Sequence, residues 1–361
     1  MNTDSRSLSQ KESNQTVADL LKLALITELG APHLEIYLDC IATASGIGTV
    51  AVADSSGAVF DPAKERLSGR FGSIPGYSDY RELLQAQKPD LAIISFPPND
   101  APVAIATALN ANCHVLSEKP GCVRLVEFER LCTIAHAHRR NLMLAFATRV
   151  NPIVVKAKDL VRGGTLGKLY GASMFFLADQ ARLRGPEYHK SWAASKHRAG
   201  GGHLIWLGIH YVDAVQFICG QQIVEVCGFT ANVGGQPLDV EDSAAVTMKF
   251  EGGMLGTLQS GYYLDSGYQS LIQIWGSDGW LRMGLVSGAP LEWHSNRQSG
   301  VETFSAPADT QQNVYPLFVQ AAIDSVRRGS PPPVEASESL QVLKVVFGLY
   351  GAASGGGTQR I

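Results

Sequence analysis

Charge is scarce in this chain. Asp, Glu, Lys and Arg make up only 17% of its 361 residues, and they nearly cancel to a formal net charge of −3. No basic block or aromatic-basic stripe occurs that would neutralise a phosphate backbone, so nucleic acid is excluded as a partner. Cysteine pairing is absent as well. Cys40, Cys113, Cys122, Cys132, Cys219 and Cys227 show no Cys-x-x-Cys spacing, and several sit in apolar stretches. They read as reduced packing thiols of a cytosolic protein, not as a disulfide framework. No apolar run approaches the roughly 20 residues that span a bilayer. Residues 1–17 are polar, rich in Ser and Asn, and lack the apolar core of a signal peptide. That segment is expected to be a disordered leader, and the protein to be cytoplasmic, with no membrane partner.

What is plentiful is apolar material. Hydrophobic residues are 45% of the composition, and the length suits two domains better than one core. Up to about residue 150, short β-rich runs alternate with amphipathic stretches: Leu23–Ile26, Thr49–Ala53, Leu91–Ser95, His114–Ser117 and Leu142–Phe146 are nearly continuous apolar strands. Between several of them, Tyr80–Ala86, Ala101–Ala111 and Leu125–Arg139 show helical spacing. This is the pattern of a doubly wound parallel sheet, an α/β fold. Past Asn151-Pro152 come a helix over Ile153–Arg162 and longer alternating runs separated by Glu251-Gly252-Gly253 and Gly276-Ser277-Asp278-Gly279. They predict a mainly antiparallel open sheet in an α+β domain over 151–361, after a first domain over 18–150. The last helix, Ser337–Ala353, is expected to pack back on the first domain.

Three places carry chemistry. Glu118-Lys119-Pro120 ends the run Cys113–Ser117, where Pro120 stops a strand and holds a charged pair at the carboxyl rim of the sheet. A lysine desolvated there trades protons near neutral pH, whereas the local alternative is a surface lysine at a strand end. Asp54 closes the second strand at the distance where a dinucleotide fold binds ribose, although Ser55-Ser56-Gly57 makes an ordinary turn equally credible. No Arg follows closely, which favours NAD over NADP. Gly200-Gly201-Gly202 leads into a helix bearing Trp206 and, one turn on, His210; that spacing predicts that both rings look into one space, and the glycines suggest close approach to a ligand. His189, His197, His203 and His210 lack the regular companions of a zinc site, so no metal is expected.

With these residues in view, the chain from about Leu20 to Ile361 resembles the Gfo/Idh/MocA family of NAD(P)-dependent oxidoreductases, which includes inositol and sugar dehydrogenases. The resemblance rests on Glu118-Lys119-Pro120 after His114-Val115-Leu116, on Ala145–Pro152, on Gly200–Asp213, and on Val240-Glu241-Asp242 and Trp275–Gly279. It implies a Rossmann domain followed by an α+β domain whose open sheet forms a dimer or tetramer interface. It also implies catalytic roles for Lys119 and His210 and cofactor contacts at Thr27, Gly30, Asp54, Ser95, Phe96, Pro97 and Glu118. Arg149, Trp192 and Trp206 would border a small-molecule substrate, with NAD as cofactor and NADP as the variant.

The chain departs from the family at the site itself. Where a Gly-x-Gly-x-x-Gly turn belongs, it reads Thr27-Glu28-Leu29-Gly30-Ala31-Pro32-His33, with a carboxylate at Glu28 that repels phosphate and Pro32 placed to begin a helix. Trp206 stands where many members carry aspartate, and Ala101 where histidine is usual. Two function classes follow: a divergent oxidoreductase acting on a sugar, cyclitol or related compound, and a non-catalytic relative that binds a sugar-like ligand or a protein.

Overall fold

The computed structural model describes residues 20–286, 288–307 and 313–361. The leader expected over 1–17 lies outside the described residues. Six parallel strands form the first sheet: β1 (Leu21–Thr27), β2 (Ile47–Ala53), β3 (Gly76–Tyr77), β4 (Leu91–Ser95), β5 (His114–Ser117) and β6 (Leu142–Leu144), in the order β3-β2-β1-β4-β5-β6. The helices between them are α1 (Leu34–Thr43), α2 (Phe60–Phe71), α3 (Tyr80–Gln87), α4 (Ala101–Asn110) and α5 (Leu125–His138). Helices on both faces explain why β4 reads Leu-Ala-Ile-Ile-Ser with every residue buried.

Strand order reverses between β1 and β4, where Thr27 lies opposite Ser95. The crevice outside their carboxyl ends is the place where such a sheet binds ligands. Helix α1 begins at Leu34, not at Pro32, because His33 takes a left-handed conformation (φ 57°) and the helix can start only after it. Helix α2 has few apolar residues in its sequence and buries only Ala63 and Leu67, which is why its periodicity is faint.

The second domain opens with α6 (Pro152–Arg162), whose first turn is capped by the Asn151 side chain accepting from Ile153 N–H at 2.9 Å. Then follow β7 (Leu169–Asp179), the short helices α7 (Pro186–Lys190) and α8 (Lys196–Ala199), and α9 (Ile209–Cys219). Strands β8 (Ile223–Ala231), β9 (Ser243–Phe250), β10 (Leu255–Leu264), β11 (Tyr268–Gly276), β12 (Gly279–Met283), β13 (Leu291–Ser295) and β14 (Glu302–Phe304) come next. The chain ends with α10 (Tyr315–Arg328), α11 (Ala336–Gly355) and β15 (Gln359–Arg360).

The nine-stranded sheet runs β14-β13-β12-β11-β7-β10-β9-β8-β15, antiparallel except for the β7–β10 pair. Burial alternates along β9 and β10, so one face packs on helices and the other looks outward. Helix α11 joins the halves: it packs on α5, β8 and α9, with the Cys132 thiol 3.6 Å from Ala336 O. One continuous apolar core runs through both sheets, which fixes their mutual position around the crevice. Among the described residues, no helix is long and apolar enough to cross a membrane.

Candidate active site

Strand β5 stops at Ser117, and the next two side chains turn inward. Lys119 is 2% exposed, so the surface-lysine alternative is overturned. Its ammonium donates to Trp206 O at 2.7 Å, stands 4.0 Å from the centre of the Trp206 ring, and lies 3.9 Å from Glu118 Oε1. Burial lowers its pKa to about 8, against the opposing pull of Glu118.

Glu118 is equally buried, yet ionised. Its Oε2 accepts from Tyr37 Oη at 2.7 Å and from Tyr315 Oη at 3.4 Å, and lies 3.2 Å from His33 Nδ1. Burial would raise its pKa, but the His33 and Lys119 charges and these hydrogen bonds overcome that and hold it near 2. Its other oxygen, Oε1, has no hydrogen-bond partner.

His33, Lys119, His210 and Tyr315 line one cavity of about 830 Å³. Its walls are otherwise Thr148, Asn151, Asn313 and apolar or aromatic groups, and no carboxylate lies among them. Phe176 stacks on Tyr211 at 5.2 Å and on Tyr268 at 5.7 Å to make one wall. His210 projects from α9 against the edge of Phe146, its Nδ1 buried without a partner. Burial, then the nearby Lys119 charge, push its pKa down to about 3, so its ring is neutral at physiological pH.

Trp206 does not share that cavity with His210. Residues Leu204–Gly208 form a π turn in which Ile209 N–H reaches back to Leu204 O, and the wider turn brings Leu207 onto the cavity wall in place of Trp206. The Trp206 indole instead packs against Trp192, ring centres 4.6 Å apart, with its Nε1 buried and unpartnered. Trp192 leans over the β1–α1 turn, its Nε1 3.5 Å from Gly30 O.

Arg149 is a second correction. Its guanidinium is buried, forks onto Asp213 at 2.7 and 3.0 Å, and pairs with Glu338 at 2.7 Å. It locks α9 to α11 and is absent from the cavity wall, where its neighbours Thr148 and Asn151 stand. The glycine triplet is a third. A Cβ on Gly202 would meet Glu241 O at 1.8 Å, so the close approach there is to the protein's own backbone and not to a ligand.

The second cavity, about 470 Å³, lies at the outer end of the crevice, lined by Thr27, Glu28, Asp54, Tyr80, Arg81, Phe96 and Asn99 among others. Asp54 is 1% exposed, and both carboxylate oxygens are engaged within its own turn: Oδ1 by Ser56 N–H at 3.1 Å, Oδ2 by Val59 N–H at 2.9 Å, both by Ser56 Oγ. Ser95 and Pro97 support the crevice from beneath: Ser95 Oγ donates to Pro32 O at 2.5 Å, and Pro97 O accepts from Asp100 and Ala101 at the start of α4. Glu28 is half-buried and its pKa is raised, by burial first and by Asp100 second. Among the described residues, no group of three His, Cys, Asp or Glu side chains could hold a metal.

The turn tests whether a dinucleotide fits. Gly30, at φ +80°, has open space where a Cβ would point, and the first-turn N–H groups of α1 have no backbone partner. Glu118 Oε1 and Trp206 Nε1 are an orphaned acceptor and donor beside the same turn. These features fit a dinucleotide laid along the crevice, with one glycine in place of three.

His33 is the functional candidate that sequence reasoning passed over, treating it only as the end of a degraded motif. A histidine inside a ligand-binding turn was the available signal.

Comparisons with known proteins agree with this architecture. Residues 41–146 match the model described as "Oxidoreductase family, NAD-binding Rossmann fold", and 154–282 match the GFO/IDH/MocA C-terminal domain. The Thr27–His33 turn lies ahead of the first match. The chain is 28% identical over 263 residues to a dTDP-3,4-didehydro-2,6-dideoxy-alpha-D-glucose 3-reductase of Saccharopolyspora spinosa, covering 70% of this chain and 74% of that one. It is 24% identical over 342 residues to the D-glucoside 3-dehydrogenase of Escherichia coli (strain K12), covering 89% and 92%. An oxidoreductase domain protein from Kribbella flavida superposes with a TM-score of 0.84 at 23% identity, covering 95% of this chain and 99% of that one, which shows the shared fold. With an NAD-binding Rossmann domain and the matching C-terminal domain both in place, the chain belongs to the Gfo/Idh/MocA family of oxidoreductases.

Proposed function

We propose that this protein is a nicotinamide-dependent oxidoreductase that interconverts a secondary alcohol and a carbonyl on a sugar-like or cyclitol ring. The observation that carries the reading is Lys119: a buried ammonium with pKa lowered to about 8, opening on an 830 Å³ cavity beside a neutral His210. The dinucleotide, when bound, takes or returns hydride at its nicotinamide. The chain's own residues do the rest. Gly30 and the start of α1 would hold the phosphates, Thr27 and Phe96 the outer crevice, and Glu118 Oε1 and Trp206 Nε1 the groups that reach Lys119. Lys119, as the amine, accepts the alcohol proton during oxidation and returns it as ammonium during reduction. His210, held neutral, orients that hydroxyl through its Nε2.

The preference between NAD and NADP would be decided in the outer cavity, where Arg81 stands beside the Asp54 turn. The activities for which the relatives above are named support a sugar-like substrate. All six thiols are free, in keeping with action in the reducing cytoplasm. Tyr170, Phe229 and Leu255 stand exposed on the second domain and would be covered in a dimer or tetramer. A monomer by gel filtration at micromolar concentration would contradict that assembly. The activity is tested by following NADH formation with methyl β-D-glucopyranoside and myo-inositol, comparing wild type with Lys119→Met. Turnover that falls about 10²- to 10⁴-fold in the variant supports the reading; equal turnover in both removes Lys119 from the chemistry.

A further inference from the structure

The cavity presents no carboxylate to a substrate, and Trp206, where the family resemblance would place an aspartate, is turned away. A polyhydroxylated ring nevertheless needs a hydrogen-bond partner for the hydroxyl that does not react. His33 is built to be one. It has a left-handed backbone (φ 57°) just ahead of α1, and it lines the same cavity as Lys119 and His210. Its Nδ1 is held from behind by two groups, Tyr315 Oη at 2.9 Å and Glu118 Oε2 at 3.2 Å.

That clamp decides the tautomer. Glu118 is an ionised acceptor, so the proton between them belongs on Nδ1. Nε2 is then the ring atom left for a ligand, and among the described residues it has no hydrogen-bond partner. The same carboxylate faces Lys119 with its other oxygen, Oε1, at 3.9 Å. Lys119 and His33 are therefore bridged by one carboxylate and line one cavity.

We propose that His33 is a substrate-binding residue whose Nε2 makes a hydrogen bond with a second, non-reacting hydroxyl, so that the enzyme requires a ring with a free hydroxyl beyond the one it oxidises. The inference rests on the oxidoreductase reading for its kinetic arm and on geometry alone for its spectroscopic arm. The His33–Glu118 dyad does from the Rossmann side what an aspartate at position 206 would do from α9. Orientation of a ring nitrogen by a carboxylate at the other nitrogen is a general device for fixing an imidazole.

The kinetic arm uses His33→Asn, because Asn tolerates the left-handed backbone that most residues resist. With methyl β-D-glucopyranoside or myo-inositol, the variant should raise KM about tenfold, with kcat changed less than about threefold and NADH affinity preserved. One monodeoxy analogue in the series should show the same KM in variant and wild type, since the hydroxyl it lacks is the one His33 holds. An unchanged KM for every oxidised probe would overturn the assignment. The spectroscopic arm needs no variant: long-range ¹⁵N–¹H spectra of the NADH-saturated protein should show His33 protonated at Nδ1 and its Nε2 signal moving as methyl β-D-glucopyranoside is added. A signal that stays fixed would refute the proposal. If no probe is oxidised, the activity reading fails for these rings, and the spectra alone still decide the role of His33.

Discussion

Lys119 Nζ stands 4.0 Å above the centre of the Trp206 ring and donates to that residue's carbonyl oxygen at 2.7 Å. Trp206 thus supplies an aromatic face and a backbone acceptor where a carboxylate would supply a full negative charge. Neither neutralises the ammonium, so burial prevails over the attraction of Glu118 and the pKa falls to about 8.

The direction of pH dependence follows from that relationship. Alcohol oxidation needs the amine, so its kcat/KM should climb as pH rises through about 8, while carbonyl reduction, which needs the ammonium, should fall over the same interval. Trp206→Asp places an anion beside the lysine and should move both limbs up by about one unit or more. A profile unchanged by that substitution would show that another group titrates.

Acid should unfold the protein in a definite order. His203 and His210 are held neutral, with burial lowering each from an ordinary 6.5 to about 3, so the unfolded chain binds more protons as soon as pH drops below about 6.5. Their stabilisation is complete above that pH and is lost on the way down, at roughly 1.4 kcal/mol per pH unit for each histidine. Glu118, held near 2 against an ordinary 4.5, adds its own loss only below about pH 4.5. Urea melts at pH 7, 6 and 5 check this, and His203→Gln should make the slope shallower.

Arg149 should matter to folding and not to substrate. Removing it strands the buried Asp213 carboxylate, so Arg149→Ala should cost about 3–5 kcal/mol of stability, whereas Glu338→Ala, at the exposed end of the network, should cost ~1 kcal/mol or less. Denaturant melts measure both. A raised KM in Arg149→Ala at full folding would restore the residue to the substrate site.

Gly202 offers a sharper test of packing. Its missing side chain leaves room for Glu241 O, and Gly202→Ala would force the segment just ahead of β9 away from the turn that precedes Leu204–Gly208. The variant should be insoluble or lose cooperative melting, and an unperturbed melting temperature would contradict the packing.

Much of the fold was legible because its signals are local and strong. Continuous apolar runs such as Leu91–Ser95 mark strands buried on both faces, and Pro120 marks where β5 must end. The faint elements were those whose stability comes from neighbours: α2 buries two residues, and β14 is three residues long with little buried. At the site, Glu118, Lys119 and His210 stood out as polar residues in apolar or glycine-rich surroundings. Trp206 was misjudged because a four-residue spacing assumes an α-turn, and one π turn rotates the face. Arg149 looked like a ligand-binding cation because its partners, Asp213 and Glu338, are 64 and 189 positions away along the chain. Long-range ion pairs leave no local trace. His33 was hidden for the same reason, its partners being Glu118 and Tyr315.

The altered β1–α1 turn bears most directly on the whole account. Calorimetric titration of the protein with NADH and NADPH, alongside Glu28→Gln, tests it. The account predicts micromolar binding of at least one nucleotide, tightened severalfold when the Glu28 carboxylate is removed. Absence of binding by both nucleotides, in wild type and variant alike, would contradict a dinucleotide held by a single glycine and the start of α1, and with it the proposed oxidoreductase activity.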